Sequence, residues 1–403
     1  MNQRDMRPPF AALGGTIPPE LEKLPTPCYL LDEAALTRNA EILGGLAQRT
    51  GCKVLLAQKA FSNYDCYPLL APHLAGTEAS GLFEARLGAE EMPGKEVHVF
   101  CAAYHADEMD ELVQYADHIV FNSPAQLAKF GPAAKAAGKS VGLRINPECS
   151  TQDGHAIYDP CAPGSRLGTT RAQWNAAVAA NPALPNLLDG LHFHTLCEQD
   201  SDALATTLDA VAQKFGDLLP RMQWLNFGGG HHITRPGYDI ATLERCITRA
   251  QQDWGVTVYL EPGEACALNA GFLLSRVLDV VQNGDTTIAI LDASAACHMP
   301  DVIEMPYRPP LFAAAEPGEK PCTVRLAGPT CLAGDVIGDY GVDAVPNVGD
   351  LLVFGDMAIY TTCKNNTFNG MPLPAIFARA ASGTTRSIVS FGYEDFKYRL
   401  GKR

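Results

Sequence analysis

Lys59 is the residue of this chain whose type and placement most suggest chemistry. It closes the apolar run Lys-Val-Leu-Leu-Ala-Gln-Lys at positions 53–59, where a strand should end in a pocket. A lysine held partly out of water is more easily deprotonated, and its neutral amine can form a Schiff base with an aldehyde cofactor. Most lysines at strand ends simply point into solvent. The choice between these interpretations therefore depends on the neighbouring runs.

Two later runs supply the groups that an aldehyde cofactor needs. The residues Gly228, Gly229 and Gly230 let the backbone approach an anion such as a phosphate closely, although a triple glycine is more often a flexible connection. Glu261 could keep a pyridine nitrogen protonated, so that the ring accepts the electrons left when a bond to Cα breaks; a salt-bridged structural acid is the alternative. Together with Lys59, these groups predict pyridoxal 5′-phosphate as the cofactor.

Four histidines support a second interpretation. His192 and His194 have the spacing of a barrel metal motif on one side of a strand, and His231 and His232 follow one strand later. The pattern keeps open a zinc-dependent hydrolase, although such pairs belong on the first barrel strand and a further acidic ligand is lacking. We expect His194 to stack on the cofactor ring, His192 to be a core or supporting group, and no metal to bind.

Alternating strands and helices should position these residues. Strand-like runs alternate with amphipathic stretches, for example at 107–116 and 203–219, and eight repeats of this pattern indicate a closed (βα)₈ TIM barrel. In such a barrel, the chemistry lies at the carboxyl ends of the strands, where Arg144 and Gly263 are further candidates for cofactor contacts. The predicted runs are 54–57, 76–80, 96–101, 118–122, 141–146, 190–194, 223–227 and 257–261.

The rhythm changes after about residue 280. The runs 287–291, 322–326 and 350–354 are separated by turn residues with little helix between them, which predicts an antiparallel β-sandwich or barrel domain. The run 25–32 is also strand-like and could pair with that domain. We therefore expect an N-terminal extension at 1–24, the barrel at 37–279, and a β domain built from 25–36 and 280–403.

Composition narrows the class of protein. The chain has 403 residues, of which 47% are hydrophobic and 19% charged, so two domains with ample cores can form. The formal net charge of −14 disfavours a nucleic-acid partner and would attract a cationic small molecule. Thirteen cysteines without a Cys-x-x-Cys pair, and no apolar stretch long enough for a membrane or a secretory signal, predict a cytoplasmic protein with reduced thiols.

Four long segments carry a resemblance to a known family. The chain resembles the alanine-racemase-fold pyridoxal-phosphate decarboxylases, and most closely their carboxynorspermidine/carboxyspermidine decarboxylase branch, from about residue 25 to the C-terminus. Of the residues discussed above, all four histidines and the three glycines at 228–230 lie within these segments. The segments are 191–199 (LHFHTLCEQ), 224–236 (WLNFGGGHHITRP), 291–301 (LDASAACHMPD) and 367–374 (TFNGMPLP).

The resemblance implies roles for residues that their own surroundings in the sequence would not single out. It implies a homodimer whose active sites are completed across the interface, with Lys59 holding the cofactor aldehyde. Cys331, in Gly-Pro-Thr-Cys, matches the cysteine that the neighbouring subunit delivers as a proton donor. Tyr360 matches a tyrosine that contacts the cofactor phosphate. Without the resemblance, Cys331 is one of thirteen thiols and Tyr360 a packed aromatic residue.

Two acidic residues indicate the substrate that the resemblance implies. Glu264 stands where diaminopimelate decarboxylases carry an arginine for a distal carboxylate, and a glutamate there would attract an amine instead. Asp292 aligns with a family aspartate that binds the distal amine. We expect decarboxylation of carboxynorspermidine or carboxyspermidine to norspermidine or spermidine in polyamine biosynthesis. Diaminopimelate or ornithine decarboxylation, a racemase, a zinc hydrolase and a non-catalytic binding protein are the alternatives.

Overall fold

The chain forms two compact units. The computed structural model describes residues 9, 10, 13, 15–152 and 158–402. One unit comprises Asn39–Lys59 and Cys66–Cys266; the other comprises the described residues up to Arg38 together with Ala60–Asp65 and 267–402. Much of the predicted N-terminal extension, namely residues 1–8, 11, 12 and 14, lies outside the described residues.

The larger unit is a closed parallel barrel, as predicted. Helix α1 precedes the barrel strands, and the last barrel strand pairs with the first, with Lys53 opposite Tyr259. The first two elements are β1 (Cys28–Asp32) and α1 (Glu33–Thr50). The barrel strands are β2 (Lys53–Ala57), β3 (Gly76–Ala79), β4 (Glu96–Phe100), β5 (His118–Phe121), β6 (Ser140–Arg144), β7 (Gly190–His192), β8 (Trp224–Asn226) and β9 (Thr257–Leu260).

Helices connect successive barrel strands, and polar caps fix where several of them begin. Ser123 caps α5 through the N–H of Gln126, and Thr170 and Gln173 form a capping box on α6. The helices are α2 (Tyr67–Leu70), α3 (Leu82–Glu91), α4 (Met109–Tyr115), α5 (Pro124–Ala136), α6 (Arg171–Ala180), α7 (Ser201–Phe215), α8 (Ile240–Trp254) and α9 (Glu264–Ala267). No helix in the described part of the chain is both long and apolar enough to cross a membrane.

The second unit is built on one eight-stranded sheet. Its main order is β13-β12-β11-β10-β1-β15-β16, and β14 pairs with β10. Most strand pairs are antiparallel, but β1–β15 and β11–β12 are parallel. Parallel pairing is possible there because the chain between the two strands is long enough to return to the end of the sheet from which the first strand started. The strands are β10 (Gly271–Asn283), β11 (Thr286–Leu291), β12 (Cys322–Ala327), β13 (Val336–Val342), β14 (Leu351–Gly355), β15 (Ala375–Arg379) and β16 (Thr385–Val389); the helices are α10 (Ala295–His298), α11 (Asp301–Glu304) and α12 (Tyr393–Tyr398).

Strand β1, which lies within the strand-like run at 25–32, pairs with this sheet. β1 is buried along its whole length, with β10 antiparallel on one side and β15 parallel on the other. Cys28 and Leu30 pack with Leu274 and Val353 in the hydrophobic core of the sheet unit. Strand β10, by contrast, is absent from the runs predicted from the sequence.

Candidate active site

The residues of interest in the barrel unit meet at the carboxyl ends of its strands. Lys59 follows β2, Glu78 lies in β3, and Arg144 ends β6. His192 ends β7, and Asn226 ends β8 just before the three glycines. Glu261 directly follows β9, and Glu264 begins α9. Because all eight strands run in the same direction, these residues share one end of the barrel, which is where barrel enzymes carry out their chemistry.

Lys59 forms an ion pair with a buried glutamate. Its Nζ lies 3.1 Å from Oε2 of Glu78, whose side chain is 1% exposed. Burial raises the pKa of Glu78 to about 7, and although the charge of Lys59 opposes this shift, those of Glu261 and Glu84 add to it. An acid that titrates near neutrality can exchange a proton with the adjacent amine. Glu78 has no role in our sequence analysis, because a lone glutamate in a strand carries no spacing signal.

Glu261 lies in a buried hydrogen-bonded network. Asn226 Nδ2 donates to its Oε1 at 2.5 Å, and His192 Nε2 lies 3.1 Å from its Oε2. Burial favours the neutral acid, but His192 and the charge of Lys59 outweigh burial and lower the pKa of Glu261. Burial also lowers the pKa of His192, so a neutral ring can donate its Nε2–H to the carboxylate. The site therefore holds an ionised carboxylate away from water.

The three glycines are required by close backbone contacts. Gly228 and Gly230 have φ of +70° and +82°, and a Cβ on Gly229 would lie 2.6 Å from the carbonyl oxygen of Glu261. The N–H of Gly228 donates to Asn226 Oδ1 at 2.8 Å. The N–H of Gly229 donates to His194 Nδ1 at 3.4 Å, so the N–H of Gly230 is the better candidate for a phosphate, and the predicted anion cradle stays a prediction.

Arg144 and His194 add a buried cation and a neutral ring. Arg144 Nη2 donates to the carbonyl oxygen of His194 at 3.1 Å, and its guanidinium lies 4.5 Å from the Phe100 ring centre. Burial lowers the pKa of Arg144 to about 10, so it remains a cation at neutral pH. Burial, with the charges of Lys59 and Arg144, lowers the pKa of His194 far enough to keep the imidazole neutral. A neutral flat ring suits the predicted stacking role.

A second cluster at the same end of the barrel joins Glu264 to His232, which the sequence suggested only as a metal ligand, and to Glu198, which the sequence did not single out. Ligand atoms of Glu198, His232 and Glu264 all lie within 4.8 Å of one another. His232 Nε2 is 3.1 Å from Glu264 Oε2, and Glu198 has a φ of +51°, which is uncommon for a residue with a side chain. Burial opposes protonation of His232, but Glu264 and Glu198 outweigh burial and raise its pKa.

The remaining predicted site residues belong to the sheet unit or to the loop after β9. Cys331 is exposed, and its N–H donates to Asn369 Oδ1 at 2.8 Å. Tyr360 has a φ of +51°, and its N–H donates to the carbonyl oxygen of Ala60 at 2.9 Å. Asp292 Oδ1 accepts from Ser275 Oγ at 2.6 Å, so at least one of its oxygens serves the sheet. The carbonyl oxygen of Gly263 accepts from the N–H of Cys266.

Comparison with known proteins shows the family. Residues 28–358 match the model described as pyridoxal-dependent decarboxylase, C-terminal sheet domain. This chain belongs to that family. It is 43% identical to carboxyaminopropylagmatine decarboxylase of Synechocystis sp., over 95% of this chain and 97% of the relative. It is 40% identical to carboxynorspermidine/carboxyspermidine decarboxylase of Campylobacter jejuni, over 94% and 99% of the two chains.

A solved structure extends the likeness to the fold. Carboxynorspermidine decarboxylase from Campylobacter jejuni, complexed with norspermidine, superposes with a TM-score of 0.85 and 39% identity. The likeness covers 93% of this chain and all of that one. This decarboxylase is thus a carboxy-lyase with pyridoxal 5′-phosphate as its cofactor, as the sequence predicted.

The side chains at the barrel end fit that cofactor. The chain provides an amine at Lys59, an ionised buried carboxylate at Glu261, a buried cation at Arg144 and a turn whose glycines cannot carry side chains. His192, meanwhile, is hydrogen-bonded to Glu261 rather than grouped with His194 around a shared ligand position. The family assignment and this geometry do not support the zinc hydrolase.

Proposed function

We propose that this chain decarboxylates carboxynorspermidine and carboxyspermidine. The observation that carries the proposal is the cluster of Glu198, His232 and Glu264 at the active end of the barrel. Two carboxylates around one imidazole attract a cationic polyamine tail and repel a distal carboxylate such as that of diaminopimelate. The Campylobacter jejuni relative named for these substrates supports the choice, as does the norspermidine complex of its solved neighbour.

A second substrate has its own support. The Synechocystis relative is named a carboxyaminopropylagmatine decarboxylase, and it is 43% identical to this chain. A substrate of that name implies an agmatine-type guanidinium tail, and a guanidinium can bind carboxylates through two parallel hydrogen bonds. The pair Glu198 and Glu264 suits either cation, so the relative rates with these substrates are what will separate the two candidates.

The proposed roles follow the chemistry of each side chain. When bound, pyridoxal phosphate supplies an electron sink for the negative charge left at Cα after CO₂ departs. Lys59 would hold the cofactor, with Glu78 exchanging a proton with its Nζ. Glu261 would keep the ring nitrogen protonated, and His194 would cover the ring face. The phosphate would lie among Arg144, Gly228 to Gly230 and Gly263, and the phosphate contact of Tyr360 stays a prediction from the resemblance.

Cys331 and the dimer complete the proposal. Cys331 would return a proton to Cα from the neighbouring subunit, which its exposed position supports. The amine-binding role of Asp292 stays a prediction from the resemblance. We place the enzyme in the cytoplasm, in keeping with the reduced thiols expected from its cysteine pattern. If subunits share sites, mixing Lys59→Ala with Cys331→Ala protein should restore part of the activity; no recovery after demonstrated subunit exchange would contradict a shared site.

The proposal is tested by measuring CO₂ release. We expect carboxynorspermidine and carboxyspermidine to react well, diaminopimelate and ornithine to stay near background, and carboxyaminopropylagmatine to report on the second candidate. Glu264→Gln should lower kcat/KM for the cationic substrates about tenfold to a hundredfold, since a charged hydrogen bond contributes about 1.5–3 kcal/mol. Efficient turnover of diaminopimelate would contradict the polyamine assignment while leaving the decarboxylase chemistry intact.

The cluster of Glu198, His232 and Glu264 also has the ligand types of a divalent-cation site. A chelator should therefore leave activity unchanged if the cluster binds the substrate tail. Glu244→Gln, which changes a carboxylate on α8 that pairs with Arg49, is the matched control and should behave as wild type. Loss of activity with a chelator, restored by one divalent metal, would replace the substrate role with a metal role.

A further inference from the structure

A buried carboxylate organises the turn that carries Cys331. Asp335 is 3% exposed and ends the turn 328–335 between β12 and β13. Its oxygens accept from Thr330 Oγ1 at 2.6 Å, Ser294 Oγ at 2.9 Å and the N–H of Ala296 at 3.3 Å. A buried carboxylate is costly unless hydrogen bonds satisfy it, so these contacts strongly favour this conformation of the turn.

The backbone closes around the same carboxylate. The N–H of Gly328 donates to the carbonyl oxygen of Asp335 at 2.9 Å, and the N–H of Asp335 donates to that of Leu332 at 2.9 Å. A Cβ on Gly328 would lie 2.2 Å from Oδ2 of Asp335, so only glycine allows the carboxylate to approach this closely. The turn is thus folded on Asp335 and is not an open loop.

Cys331 is held on both sides by this arrangement. Its preceding neighbour, Thr330, donates its hydroxyl to Asp335, and its own N–H donates to Asn369 Oδ1 at 2.8 Å. Asn369 has a φ of +61°, a left-handed conformation that asparagine tolerates better than most residues. The thiol itself is left exposed on a fixed backbone.

We propose that Asp335 is a positioning residue for the Cys331 thiol. Asp335 fixes Thr330, and Thr330 fixes the peptide from which the thiol projects. The proposal rests on the proton-donor role proposed for Cys331. Misplacing a reacting group by about 1 Å can cost about 10²-fold in rate, so a residue that acts only through backbone geometry can still govern turnover.

The first test uses the neutral isostere Asp335→Asn. We expect kcat to fall about tenfold to a hundredfold with KM within about twofold, because substrate binding is not affected. Thr330→Val should have a smaller effect in the same direction. Asp339→Asn, which changes an acid four residues later that pairs with Arg325, is the matched control and should behave as wild type.

A double mutant separates positioning from general destabilisation. If Asp335 acts through Cys331, Asp335→Asn should cause no further loss in a Cys331→Ala background. An equal fold-loss in both backgrounds would overturn the proposal, as would wild-type kcat in the single variant.

Alkylation by iodoacetamide, read by peptide mass analysis, tests the proposal without any substrate. We expect the rate at Cys331 to change by about fivefold in Asp335→Asn, the size expected from one lost hydrogen bond. The rate at the partly exposed Cys101, measured in the same samples, should stay constant. An unchanged rate at Cys331 would overturn the proposal. If no carboxylated polyamine is turned over, the proposed function fails, and the alkylation rate alone decides whether Asp335 positions the thiol.

Discussion

The two ends of the barrel each carry a lysine–glutamate pair, and their surroundings give the pairs opposite properties. At the carboxyl end, Glu78 is 1% exposed and pairs with Lys59, and burial raises its pKa to about 7. At the amino end, Glu96 is 29% exposed and pairs with Lys53. Glu96 is also hydrogen-bonded to His98 and Tyr259, and these partners outweigh burial and lower its pKa to about 2.

The difference shows how the same residue types serve structure or chemistry. Glu96 has enough hydrogen-bond donors to remain an anion at any physiological pH, so it serves as a fixed ionic link between β4, β2 and β9. For Glu78, burial and the charges of Glu261 and Glu84 outweigh the charge of Lys59, so this carboxyl group titrates near neutral pH. A perturbed carboxyl group beside an amine is therefore the better marker of the active end than the ion pair itself.

The largest expected effect comes from exchanging the two lysines for alanine. Lys59→Ala should lower turnover by on the order of 10³-fold or more, because the cofactor loses its covalent attachment. Lys53→Ala should keep turnover within about twofold and destabilise the fold by no more than about 1 kcal/mol. Borohydride reduction followed by peptide mass analysis should place the pyridoxyl group on Lys59; finding it on Lys53 or another lysine would break the comparison.

Replacing Glu261 or Glu96 by glutamine should give the next largest contrast between the two ends of the barrel. Glu261→Gln should lower kcat about 10²-fold, since a neutral amide no longer holds the ring nitrogen protonated. Glu96→Gln should instead lower the melting temperature and leave kcat nearly unchanged. The measurements are steady-state kinetics at saturating cofactor and thermal unfolding of both variants. A thermal loss in Glu261→Gln without a kinetic one would make Glu261 a structural acid.

Much of this comparison could be predicted from the sequence, and the reasons for the gaps are physical. Three barrel strands, β2, β8 and β9, are short and mostly apolar, and they are followed by Lys59, Gly228 and Glu261, so their position and residue types indicated the site. Strand β10 could not be recognised, because its first half is buried on both faces and its second half is exposed, which removes any alternation.

The partners within the site could not be predicted, because they come from distant strands. Glu78 meets Lys59 only when β2 and β3 pair, and Glu198 meets Glu264 only when the loops after β7, β8 and β9 come together. The spacing of these residues along the sequence indicates neither contact. Asp335 was missed for the same reason, since its partners are near residue 294 as well as within its own turn.

The titration of Glu78 predicts a pH effect that its amino-end counterpart should not show. Glu78 has a pKa of about 7, so below that pH it is protonated and cannot accept a proton from Lys59. Cofactor loading should therefore slow as pH falls through about 7, and Glu78→Gln should remove this dependence at a lower, flat rate. Stopped-flow absorbance of cofactor binding from pH 5.5 to 8.5 measures it. If cofactor loading in Glu78→Gln slows below pH 7 as it does in the wild type, the titration belongs to another group.

The smallest expected effect is on stability, and it belongs to the amino end. Burial, with His98 and Lys53, lowers the pKa of His118 to about 3, although Glu96 opposes the shift. At pH values between about 6.5 and 3, His118 is therefore protonated in the unfolded chain but neutral in the folded protein. Stability should fall as pH drops from 6.5 towards 3, and His118→Gln should make this fall smaller.

The measurement is the difference between the melting temperatures at pH 7.5 and pH 5.0. This difference should be about 2–4 °C smaller in His118→Gln than in the wild type. If His118→Gln shows the wild-type slope, the acid sensitivity arises from other groups, and the amino-end cluster contributes to packing rather than to titration.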